Sequence, residues 1–117
     1  LCASYIPECT AGEAPPIRVA SRTGDTTPAE RRRMTLKPPH VLVTTPETLA
    51  ILLSTEAFRP HFAGVRWVVI DEVHAMAGGK RGVHLALSLE RLAHAAERDP
   101  TRVGLSATVA PLDRVAR

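Results

Sequence analysis

The chemistry in this chain concentrates in Asp71-Glu72-Val73-His74, where two acids and an imidazole stand directly after the apolar run Trp67-Val68-Val69-Ile70. Adjacent carboxylates can divide the work of phosphoryl transfer to water. One holds a magnesium ion on nucleotide phosphates, while its neighbour orients and deprotonates the attacking water. At the end of a buried strand such a pair is costly unless something positive sits beside it. An isolated Asp-Glu is more simply read as a solvated pair capping the next turn. Two further polar clusters reverse that preference. Thr44-Thr45-Pro46-Glu47 follows an apolar strand pattern, and so does Ser106-Ala107-Thr108. In a parallel sheet all three clusters share the carboxyl edge, where α/β proteins bind ligands.

The elements that would hold those clusters are readable from local signals. Thr27-Pro28-Ala29-Glu30 supplies a Thr cap, Pro at the first helical position and Glu three residues after the cap, which together specify a helix start. That helix should run to about Leu36, because Pro38 and Pro39 stop it. Residues 40–44 read as a buried strand. Thr45-Pro46-Glu47 repeats the device and starts a second helix carrying Leu49, Ile51, Leu52 and Leu53. Residues 58–64 read as a connection and residues 65–70 as the most strand-like stretch. Its lack of polar alternation predicts cover on both faces.

After Gly78-Gly79, the residues Leu85, Leu89, Leu92 and Ala96 recur at helical spacing, with His84, Ser88, Arg91 and Arg98 assigned to the opposite side. Residues 102–105 form a last short strand, and a further helix starts near Pro111. Residues 17–20 are a short strand, and residues 1–16, with Pro7, Pro15 and Pro16, read as irregular. The alternation predicts an α/β fold, a parallel sheet flanked by helices.

The 117 residues make one small domain or a piece of a larger one. Hydrophobic residues at 44% and charged residues at 23% are ordinary for a globular protein and argue against a disordered tail. Tyr5, Phe58, Phe62 and Trp67 are the only aromatic residues, so the core must be aliphatic. No apolar run reaches the length of a membrane span and no secretory leader is visible. The expectation is a soluble, cytoplasmic protein with no membrane partner.

The net charge is +3, but residues 17–40 hold Arg18, Arg22, Arg31, Arg32, Arg33 and Lys37 against Asp25 and Glu30. This local excess suits phosphates or, for Arg31 to Arg33 alone, a solvated helix face. His84 and His94 do not share a metal-binding face, and His61 has no partner legible in the sequence. Gly78-Gly79-Lys80-Arg81 lacks the spacing of a phosphate loop. It reads as a turn whose Lys80 and Arg81 face nucleic acid.

Asp71-Glu72-Val73-His74 followed by Ser106-Ala107-Thr108 resembles motifs II and III of the superfamily 2 helicases of the Asp-Glu-x-His class. Arg22-Thr23-Gly24-Asp25-Thr26, Pro38-Pro39-His40, Val43-Thr44-Thr45-Pro46-Glu47-Thr48-Leu49, and Gly79-Lys80-Arg81-Gly82 with the Leu-rich helix after it are similar to the large helicase-related (Lhr) branch. The likeness covers residues 17–117. It implies part of a RecA-like first motor domain, preceded by a non-matching leader at residues 1–16. It also implies that Asp71 holds magnesium, through water, on bound ATP, and that Glu72 activates the hydrolytic water. By the same resemblance His74, Ser106, Ala107 and Thr108 couple nucleotide state to the nucleic-acid path. Arg22, Thr23, Gly24, Asp25, Thr44, Thr45, Pro46 and Glu47 would contact the backbone of single-stranded or partly duplex DNA, or an RNA–DNA hybrid.

Such proteins use ATP for 3′-to-5′ translocation and unwinding, with DNA repair as the usual setting. They also need a phosphate loop and a second motor domain, neither of which these 117 residues supply. The implied partners therefore include the missing parts of the same motor. The competing reading is an inactive remnant with weak nucleic-acid binding. A magnesium-dependent hydrolase unrelated to helicases leaves Thr44 to Glu47 and Ser106 to Thr108 unexplained.

Overall fold

The computed structural model describes residues 2–4 and 16–107. Its elements are, in order, β1 (Cys2–Ser4), β2 (Val19–Arg22), α1 (Pro28–Leu36), β3 (Val41–Thr44), α2 (Pro46–Ser54), a 3₁₀ turn (Arg59–Gly64), β4 (Trp67–Ile70), α3 (Val73–Met76), α4 (Lys80–Ala95) and β5 (Thr101–Gly104). The helix expected from Pro111 and the site residue Thr108 lie outside the described residues.

Both Thr-Pro helix starts form as the sequence predicts. The Thr27 hydroxyl accepts the Glu30 amide at 3.3 Å and the Glu30 carboxylate accepts the Thr27 amide at 3.0 Å, a complete capping box. The Thr45 hydroxyl caps α2 by accepting the Thr48 amide at 3.2 Å. The α1 helix has no buried residue. It is tethered at its C-terminal end, where Met34 packs on the core and the Thr35 carbonyl lies 3.0 Å from His61 Nε2. His61, unpaired in the sequence reading, therefore has a partner, and its ring also meets Phe58 edge to face at 5.1 Å.

The sheet runs in the order β2-β3-β1-β4-β5. The pairs β2–β3 and β4–β5 are parallel, as expected of an α/β fold. The exception is β1, expected to be irregular, which lies antiparallel between β3 and β4 with Ala3 opposite Leu42 and Val68. Without it the two parallel pairs would not share a ladder.

One face of the sheet is covered. Leu42 and Val68 point into a cluster with Leu49, Leu52 and Leu53 of α2, Phe58, Phe62 and Val65, and Leu85, Leu89 and Leu92 of α4. Each such leucine, removed from water, contributes about 1.5–3 kcal/mol before entropy is counted. Cover on the second face, expected from the apolar strands, is absent among the described residues: Val19 is 64% exposed, and Val43, Trp67 and Val103 are also exposed. Ser88 is a further correction. Helical spacing places it on the polar side of the long helix, but it is only 2% exposed, because a small side chain is what lets α4 lie close against α2.

Candidate functional site

The parallel pairs bring four chain segments to one edge. β2 delivers Thr23, Gly24 and Asp25; β3 delivers Thr45; β4 delivers Asp71 and Glu72; β5 delivers Leu105 and Ser106. The β4 and β5 exits are stitched together. Leu105 donates its amide to the Ile70 carbonyl at 2.8 Å, and its carbonyl accepts the Val73 amide at 3.0 Å.

Between those two bonds the chain makes a sharp corner. Glu72 adopts φ 54° and ψ 40°, the left-handed region that a side chain-bearing residue enters at a cost of about 1–3 kcal/mol. The Asp71 carboxylate stabilises the corner by accepting the Glu72 amide at 2.8 Å. The corner starts α3 and turns the Glu72 side chain toward His74, with Glu72 Oε2 3.3 Å from His74 Nε2. On its other side His74 Nδ1 lies 2.8 Å from Ser106 Oγ. A neutral imidazole satisfies both contacts when Nε2–H donates to the carboxylate and Nδ1 accepts the serine hydroxyl. The structure thus joins three of the expected site residues in one chain, Glu72–His74–Ser106, across 32 residues of sequence between His74 and Ser106.

The acids are not buried at a strand end. Asp71 and Glu72 are exposed, Glu72 with 64% of its side chain accessible, so water carries the cost that the sequence reading assigned to burial. Among the described residues no three His, Cys, Asp or Glu side chains converge to hold a metal. A magnesium ion carried mainly by water and nucleotide phosphates asks for one carboxylate, and exposed Asp71 fits that demand.

The residues that the sequence directs toward nucleic acid divide by access. Gly24 and Asp25 are exposed at the tip of a loop closed by hydrogen bonds between Thr23 and Thr26. Thr44 is buried and donates its hydroxyl to the Arg22 carbonyl at 2.7 Å. It holds β2 and β3 in register rather than presenting a free hydroxyl. Arg22 packs its guanidinium 5.1 Å above the Phe58 ring. Burial and the nearby Arg31 charge lower its pKa. Pro46 is buried and Glu47 exposed in the first turn of α2. Ala107 is exposed beside Ser106.

Two arginines have roles that sequence reasoning missed. Arg31 reaches back from α1 to donate to the Thr26 and Gly24 carbonyls, each at 2.8 Å. It therefore shapes the Gly24 loop instead of lying free on a solvated face. Arg81 bonds Glu47. No local spacing could signal either contact. A groove of about 480 Å³ lined by Leu53, Arg59, Glu90, Arg91, His94 and Ala95 contains none of the site residues.

Comparison with known proteins shows the family and the fold. The DEAD/DEAH box helicase family profile matches residues 8–115. The chain belongs to that family. The chain is 60% identical over 116 residues to an ATP-dependent helicase Lhr-Core of Methanothermobacter thermautotrophicus, covering 97% of this chain and 13% of that protein. A Lhr helicase/probable uracil glycosylase of Mycolicibacterium smegmatis is 55% identical over 104 residues, which are 89% of this chain and 7% of the relative.

Among solved structures, that of Mycobacterium smegmatis helicase Lhr bound to ssDNA and AMP-PNP superposes with a TM-score of 0.86 at 52% identity. The match covers 92% of this chain and 14% of that one. The chain thus spans only a small part of the helicases it matches. Its α/β sheet is that of their RecA-like domain, as the motif order implied.

Proposed function

We propose that these residues form part of the first motor domain of an Lhr-type ATP-dependent DNA helicase, with residues 17–117 carrying its motifs and Cys2–Ser4 supplying a strand of its sheet. The observation that carries the reading is the Glu72–His74–Ser106 chain on the carboxyl edge, in a protein of the DEAD/DEAH box family. Its support from relatives is their ATP-dependent helicase names and the ssDNA and AMP-PNP bound by one of them.

In this reading Glu72 takes the proton of the water that attacks the terminal phosphate of ATP. Asp71 would hold magnesium through water, and the ion would neutralise phosphate charge there. His74 holds the Glu72 carboxylate on one side and Ser106 on the other. When the cleaved phosphate leaves, Glu72 exchanges hydrogen-bond partners and His74 passes the change to Ser106, Ala107 and Thr108. Arg22 to Asp25 and Thr44 to Glu47 form the track for the sugar-phosphate backbone of single-stranded DNA, Thr44 by holding the two segments together. Translocation from 3′ to 5′ and a part in DNA repair belong to the intact motor.

By itself the 117-residue chain is expected to hydrolyse ATP negligibly, since its sequence contains no Gly-x-x-x-x-Gly-Lys-Thr and catalysis needs charge stabilisation from a full set of phosphate contacts. The test is a salt titration of single-stranded DNA binding with ATP turnover measured in parallel. Binding that weakens steeply with salt, without turnover, supports the reading. Clear DNA-stimulated turnover by the isolated chain, lost on Glu72→Gln, would refute the expected inactivity.

A further inference from the structure

Arg81 stands in the Gly79-Lys80-Arg81-Gly82 segment, whose basic residues the sequence directs toward nucleic acid. In the fold it turns instead to Glu47, 34 residues earlier. Its Nε donates to Glu47 Oε1 at 2.8 Å and its Nη2 to Oε2 at 3.4 Å, a two-point fork that fixes the carboxylate's orientation. Both side chains are more than half exposed, so the pair adds little to stability. What remains is its effect on charge and position. Glu47 follows Thr45 and Pro46 at the start of α2, where an uncompensated carboxylate would repel a phosphodiester.

We propose that Arg81 is a positioning residue for nucleic-acid contact, acting through Glu47. It neutralises this carboxylate and holds it in place, so that a phosphate backbone can pass the Thr45-Pro46-Glu47 turn. The inference rests on the proposed reading of that turn as part of the DNA track. It also links two parts of the same edge, the Thr45 turn and the segment that follows Glu72. Arg81 lies in the first turn of α4, directly after the Asp71 to Met76 corner, so a shift at the nucleotide corner moves the group that screens Glu47. In agreement with the geometry, hydrogen bonding from Arg81 is the main cause that lowers the Glu47 pKa.

The test compares the wild-type chain with Arg81→Gln, Glu47→Gln and the double variant, using a fluorescently labelled oligothymidylate single strand at low salt. Melting curves confirm that all four chains are folded. Arg81→Gln is expected to weaken binding about fivefold, the size of one uncompensated charge several ångströms from a phosphate in a mostly aqueous setting. Glu47→Gln keeps the backbone of the turn and frees the Arg81 charge, so it should bind more tightly than wild type. The double variant should return to within about twofold of wild type, because without the carboxylate Arg81 has nothing to screen. Unchanged binding by Arg81→Gln overturns the inference, and so does a double variant as weak as Arg81→Gln, which would show Arg81 touching phosphate itself. Both results leave the DNA track intact. No binding by the wild-type chain overturns the track reading and this inference together.

Discussion

Replacing Gly82 by Ala puts local propensity and tertiary packing in direct opposition. Gly82 is the third residue of α4, and a Cβ there would collide with the backbone carbonyl of Met76. The obstacle is main chain, so no side-chain rotation relieves it, and the α3–α4 junction must shift. Forcing extra volume into a packed contact costs about 1–3 kcal/mol, while Ala in place of Gly in a helix returns about 0.5–1 kcal/mol. From the middle of each range the net expectation is a loss of about 1 kcal/mol, which for a domain of this size lowers Tm by about 3–8 degrees. Thermal melting followed by far-UV circular dichroism and by the fluorescence of Trp67, the single tryptophan, measures it. Ala86→Gly, on the exposed side of α4, gives the size of the propensity effect alone. If Gly82→Ala melts at the same temperature as wild type or higher, propensity has won and the close approach of α4 to Met76 is refuted.

Two further outcomes follow from the caps and the ion pair. Thr27→Ala should cost α1 about 1 kcal/mol, because it removes one half of the capping box. Since no residue of α1 is fully buried and only Met34 packs on the core, the loss should show as faster amide exchange within residues 28–36 and only a small change in global Tm. Acidification should act on the same contacts. Hydrogen bonds from Thr27 depress the Glu30 pKa, and those from Arg81 depress that of Glu47. A depressed folded-state value contributes stability that is present above the ordinary carboxylate value near 4.5 and is lost as pH falls through the depressed one. Melting temperature should therefore decline below that value, less steeply in Arg81→Gln than in wild type. An identical acid profile in the two proteins would show that the pair contributes nothing.

The parts of the fold that were legible in the sequence are those set by neighbours along the chain. Thr27-Pro28 and Thr45-Pro46 start helices because cap, proline and following amide lie within one turn. The apolar strands and the polar residues that follow them likewise announce the carboxyl edge. Contacts between distant residues were not legible. The left-handed corner at Glu72 depends on bonds to β5. Arg31 reads as one charge in a run of three, and only the fold shows it bonded to the Gly24 loop. The burial of Ser88 follows from how closely α2 and α4 approach. Periodicity places it on a face but cannot say what covers that face. The strand at Cys2–Ser4 falls in a segment rich in proline further on, where local signals argue against pairing, and it forms through hydrogen bonds to β3 and β4. The open sheet face is a related case. Trp67, Val69 and Val103 are as apolar as a covered strand requires, and the sequence cannot show whether the covering layer is among these residues.

The proposed function rests on Glu72 as the base at the carboxyl edge. The direct measurement is DNA-stimulated ATP turnover by Mycolicibacterium smegmatis Lhr in which this chain replaces the stretch it matches, with and without Glu72→Gln. The chimera should turn over ATP, and Glu72→Gln should lower turnover by about a hundredfold or more while nucleotide binding persists, as removal of a general base does. Turnover in the Glu72→Gln chimera equal to that of its parent would contradict the claim.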